Sequence, residues 1–89
     1  MSTKPPSAVQ ESPAGALEKI AYSFVADIPT TEPNDRNRLG YCLWIWMSDR
    51  NGTLEQMVRS SGVRTTMPHE EIVKIIRGRV EEFDKKPAA

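Results

Sequence analysis

Cysteine and histidine are almost missing from this sequence, with Cys42 and His69 the single examples in 89 residues. A lone cysteine excludes an internal disulfide and reads as a small buried hydrophobe in a reducing compartment. One cysteine and one histidine, 27 residues apart, match no recognised metal-ligand spacing. Any Cys–His or Ser–His–Asp arrangement would have to use His69. That residue falls in the expected first turn of a helix, where a polar side chain needs no special role. The five glycines are isolated, so there is no glycine-rich cradle for phosphate. No stretch approaches the ~18 apolar residues of a membrane span, and the N-terminal residues lack the apolar region of a secretory leader. The expectation is a cytoplasmic protein with no enzymatic activity, no metal, no cofactor, no membrane attachment and no small-molecule substrate.

Net charge is also missing, although the charges are unevenly spread. Residues 1–35 sum to −3, residues 36–79 to +4 and residues 80–89 to −1. A basic middle between acidic flanks suits either an anionic partner or a chain that pairs its own halves, and the second reading is preferred. The adjacent carboxylates Glu70–Glu71 and Glu81–Glu82 fit solvated helix faces with i,i+4 pairing to nearby basic residues.

What remains is a globular balance of 38% apolar and 27% charged residues, enough for one small domain. Residues 1–15 carry Pro5, Pro6 and Pro13 among small polar residues and read as a disordered tail. Residues 16–85 form a single helical domain and residues 86–89 a short flexible C-terminus. Leu17, Ile20, Ala21, Phe24, Val25 and Ile28 recur at helical spacing and predict a helix over 16–28. A strand built on Ile20, Tyr22, Phe24 and Ile28 would leave Leu17, Ala21 and Val25 unexplained.

A second helix is expected over 34–50, capped by Thr31 or Asn34 with Pro33 nearby. Its centre, Tyr41–Met47, is non-polar at every position, so a buried strand is the competing reading there. On a helix, Leu39, Cys42, Leu43, Trp46 and Met47 share one face, and Tyr41, Trp44 and Ile45 point away from it. Thr53 and Gln56 match a capping box opening a short helix over 53–61 that buries Leu54, Met57 and Val58 and stops at Gly62. The last helix, over 67–84, has Thr66 as its cap, Pro68 in its first turn and a stripe of Val73, Ile76, Val80 and Phe83. The fold class is therefore an all-α compact bundle of about four helices.

Two binding functions follow from these elements. The preferred one is a protein-interaction or regulatory module, binding a protein partner or a second copy of itself. It would use an aromatic face of the central helix formed by Tyr41, Trp44 and Ile45, with Arg79 facing the partner. Two tryptophans two positions apart cannot share a helix face, so one of Trp44 and Trp46 is expected at the surface. The alternative is a nucleic-acid reader, because residues 53–64 look like the first half of a helix-turn-helix. Its phosphate contacts would be Arg59, Arg64, Lys74 and Arg77. Pro68 interrupts the place of a recognition helix, and Glu70 and Glu71 would repel phosphate, so this reading ranks second.

Overall fold

The computed structural model describes residues 13–85. It contains four helices, α1 (Pro13–Val25), α2 (Pro33–Asp49), α3 (Leu54–Ser61) and α4 (His69–Lys85). No strand occurs among the described residues, and 41–47 is helical throughout. The expected tails over 1–12 and 86–89 lie outside the described residues. Residues 13–15, expected in the N-terminal tail, instead form the start of α1.

α1 begins earlier and ends earlier than its apolar stripe suggests. Pro13 opens it, as a residue with no N–H to lose can. Pro29 disfavours helical backbone at Ile28, and the chain leaves the helix through turns in which Ile28 N–H donates to the Val25 carbonyl at 3.1 Å. Ile28 nevertheless stays buried with Ala21 and Val25, and Leu17, Ile20 and Phe24 are partly covered.

α2 is capped by Glu32, not by Thr31 or Asn34. The Glu32 N–H donates to Asp35 Oδ2 at 3.2 Å. α2 ends at Arg50, which takes a left-handed conformation at φ 56° and donates its N–H to the Trp46 carbonyl. α3 forms as its capping box requires. Thr53 N–H donates to Gln56 Oε1 at 3.0 Å, and Gln56 N–H returns a bond to Thr53 Oγ1 at 3.1 Å. Gly62 closes it at φ 67°. α4 starts later than expected, since the Pro68 carbonyl accepts the first helical bond, from Ile72 N–H at 3.2 Å. Pro68 therefore stands at the cap instead of in the first turn.

The core is continuous across all four helices, joining Ala21 and Val25 to Leu39, Leu43 and Met47, then to Met57 and Val58, and to Ile72, Ile76 and Val80. α1 packs chiefly on α2, and α4 meets α1 far less extensively. Gly40 sets the first contact. A Cβ there would fall against Cδ1 of Tyr22 and 2.8 Å from its Cε1, so the α1–α2 approach requires glycine.

One charged group is buried among the described residues. Asp35 is wholly covered, and its carboxylate faces Arg38 and, at 3.3 Å, Arg64 Nε. Arg38 Nε also donates to the Ser61 carbonyl at 2.8 Å. The surrounding loops are laced together as well: Thr31 N–H donates to the Arg64 carbonyl at 2.8 Å, and the Thr65 hydroxyl donates to the Pro29 carbonyl. Burial alone would raise the Asp35 carboxyl. The Arg64 hydrogen bond and charge, the Arg38 charge and the Glu32 N–H outweigh it and hold the group below the usual carboxylate range.

A carboxyl lowered in the folded state contributes stability above its unfolded pKa and loses it as pH falls toward the folded value. The Asp35 contribution should thus be complete above about pH 4, the ordinary aspartate value, and drain away below it. Asp35→Asn should lower the urea midpoint at pH 7 and flatten the acid limb of a stability–pH curve. A variant with the acid limb of the parent would show that Asp35 is not the group that titrates.

Candidate functional site

The structure removes the aromatic face proposed for α2. Trp44 is not presented to solvent with Tyr41 and Ile45; it is partly buried and packed against the core. Its Nε1 is covered and has no hydrogen-bond partner. Trp46 also packs on the core, with Nε1 donating to the Gly52 carbonyl at 3.0 Å and the Arg50 guanidinium 5.1 Å above its ring. Neither tryptophan is left over. Neighbouring helices cover α2 on more than one side, so residues at different wheel angles are both enclosed. Tyr41 and Ile45 alone remain exposed, with the Tyr41 ring leaning edge-on against Trp44 at 5.9 Å. The binding reading through this face therefore fails.

The nucleic-acid reading fails on the same kind of evidence. Seven residues, 62–68, separate α3 from α4, and they are bonded to the α1–α2 loop instead of forming a tight turn. Arg64 is held by Asp35 and Arg77 by Glu55 at 2.8 Å. Arg59 and Lys74 are exposed and make no ion pair among the described residues, on α3 and α4 respectively. Two committed arginines and two scattered cations do not make a phosphate-tracking surface.

The basic surplus of the middle segment is largely consumed inside the chain. Arg79 pairs with Asp27 through both carboxylate oxygens, at 2.9 and 3.0 Å, and also donates to the Phe24 carbonyl. Arg50 reaches Asp84 at 2.7 Å. These hydrogen bonds lower the carboxyls of Asp27, Glu55 and Asp84. Such exposed pairs contribute roughly 0.2–1 kcal/mol each, so their larger effect is to fix where α4 lies.

No group of three or more His, Cys, Asp or Glu side chains able to hold a metal occurs among the described residues. His69 Nε2 lies 3.4 Å from the Val63 carbonyl, and Cys42 is half-buried with its thiol pushed up by burial. No described helix is long and apolar enough to cross a membrane.

Besides a smaller one of about 300 Å³ where α2, α3 and α4 meet, two surface hollows stand out among the described residues. The one between α2 and α3, about 740 Å³, is walled by Tyr41, Trp46, Thr53, Gln56 and Met57, and its polar atoms at Thr53 and Gln56 are already used in the capping box. The other is a groove of about 660 Å³ between α1 and α4. Its walls are Ile20 and Phe24 on one side and Ile75 and Phe83 on the other, all half-buried. Phe24 and Phe83 meet edge-to-face with centroids 6.4 Å apart, and the Arg79–Asp27 pair stands beside them. Gly78 lines this groove, and a Cβ placed on it would meet nothing within 4 Å. The apolar helical stripes assign Ile20, Phe24 and Phe83 to the core; the structure leaves them, with Ile75, at the groove. The signal that marks a groove is Gly78 in the middle of α4.

Compared with known proteins, the chain matches no family model, and no curated protein or solved structure matches it significantly.

Two consequences are measurable. Trp44→Ala should lower the unfolding free energy by about 3 kcal/mol at every protein concentration, because a core aromatic is being removed. A loss that appears only as the protein is diluted would restore an interface role. The two helical glycines should respond in opposite directions to alanine. Gly40→Ala should destabilise by about 1–3 kcal/mol through overpacking against Tyr22. Gly78→Ala should stabilise by roughly 0.5–1 kcal/mol, since only the helix propensity changes. Equal signs in chemical denaturation would refute the packing difference.

Proposed function

We propose that this domain works without catalysis, as a cytoplasmic protein-binding module whose contact surface is the groove between α1 and α4. The observation that carries the reading is Gly78. Glycine in a helix interior costs about 0.5–1 kcal/mol relative to alanine. Gly40 has a reason for that cost within the fold, namely the Tyr22 ring. Gly78 has none, because a side chain there meets only open space. A glycine lining an apolar groove lets another backbone approach α4 closely. Ile20, Phe24, Ile75 and Phe83 then supply the apolar walls on which an amphipathic segment lays its own apolar face. Cys42 is a free, half-buried thiol, which accords with the reducing compartment of the cytoplasmic setting.

Gly78→Trp provides the test. The indole adds bulk at the exposed α4 edge of the groove without touching the core, so the variant should fold and melt like the parent or slightly above it. Amphipathic helical peptides selected from a displayed library against the parent chain should lose at least about tenfold in affinity for Gly78→Trp, a change of ~1.4 kcal/mol. Peptides that bind both forms equally would place the contact surface elsewhere.

A further inference from the structure

Four of the charges along α4 stand in opposite pairs about Gly78. Four residues before it stands Lys74 and four after it Glu82; seven before it stands Glu71 and seven after it Lys85. At about 100° per residue, these four side chains leave the helix within roughly 40° of the Gly78 direction. All four are exposed, and none makes an ion pair among the described residues. Their sign reverses on passing through the glycine.

We propose that a second copy of this chain occupies the α4 side of the groove, the two α4 helices running antiparallel about a two-fold axis at Gly78. This rests on the binding role of the α1–α4 groove and names its occupant. Antiparallel pairing sets position 78 − n of one copy opposite 78 + n of the other. Lys74 then meets the second copy's Glu82, Glu71 meets its Lys85, and the axis repeats both, giving four opposite-charge pairs. A parallel alignment in register would set like against like at every one of these positions. The axis requires the two helices to be closest at residue 78, where each presents a glycine with open space above it. Arg77 and Arg79 flank the axis, and repulsion between copies there is relieved because Glu55 and Asp27 already pair with them. Ile75 borders the contact on the groove side, so the same approach covers its exposed edge.

The test is sedimentation equilibrium of the full chain from low micromolar to millimolar concentration. The parent should dimerise, less tightly as salt rises. Lys74→Glu and Glu82→Lys should each weaken self-association by about tenfold or more, since each sets like charges opposite one another twice. An equimolar mixture of the two variants should associate again, because every facing pair in the heterodimer is opposite in sign, and the double variant K74E/E82K should recover the parent's behaviour. Glu71→Lys and Lys85→Glu form an independent set with the same logic, should either of the first pair fail to fold by circular dichroism. A parent that stays monomeric at millimolar concentration overturns the proposal, as does a mixture no more associated than its components. If the parent is monomeric while Gly78→Trp still abolishes peptide binding, the groove remains a binding surface and only the second copy is excluded. If both results are negative, both readings fall.

Discussion

A buried aspartate between two arginines governs how the helices of this domain are connected. Asp35 sits in the first turn of α2, accepts from the Glu32 N–H, and faces Arg38 on its own helix and Arg64 on the α3–α4 link. A buried carboxylate is tolerable only when its charge is met, so both arginines are held close to it. Arg38 in turn takes the Ser61 carbonyl, at the end of α3. The consequence reaches well beyond one ion pair. With Arg64 committed to Asp35 and the link bonded to the α1–α2 loop, the seven residues before α4 cannot close into the tight turn of a helix-turn-helix. The start of α4 follows from where that link is held.

The second determinant is the unequal treatment of α1 by its two neighbours. Gly40 admits the Tyr22 ring and brings α2 directly against α1. α4 meets α1 mainly near one end, where Arg79 takes Asp27 and the Phe24 carbonyl and where Phe83 touches Phe24. Helices joined closely along one side and only locally along the other leave an open wedge. Ile20 and Ile75 border that wedge without closing it. The groove is thus a product of the bundle's connectivity: the small core closes α1 on α2 and has too little apolar material left to seal α1 against α4.

Much of this fold was legible in the residue pattern, and the exceptions have physical causes. The four helices, the Thr53–Gln56 box and the Gly62 stop follow from local rules that no tertiary contact overrides here. The cap of α2 was misassigned because Glu32 is a weaker capping type than Thr31 or Asn34, and its position depends on Asp35 being buried. The start of α4 was placed too early because Thr65 donates to Pro29 across the loop, a contact between residues far apart in sequence. The surplus tryptophan was an error of geometry. A wheel argument assumes one buried face, whereas α2 is covered on several sides and both indoles fit. Asp35 itself gave no sign, since periodicity marks apolar residues and says nothing about a carboxylate enclosed by partners from other elements.

The distribution of charge links the fold to the groove. Arg38, Arg50, Arg64, Arg77 and Arg79 each find a carboxylate within the chain, and most of these bonds join different elements. The guanidinium suits this work, because its fixed fork can satisfy a carboxylate and a backbone carbonyl together, as Arg79 does with Asp27 and Phe24. The charges left without an ion pair among the described residues include Glu71, Lys74, Glu82 and Lys85, and these lie on one side of one helix around its only glycine. A solvated helix face needs charge for solubility, but solubility places no demand on the order of the signs. Nor does it ask for a glycine where alanine would hold the helix better. Close approach of another backbone asks for both, and the α1–α4 groove is where the bundle leaves room for it.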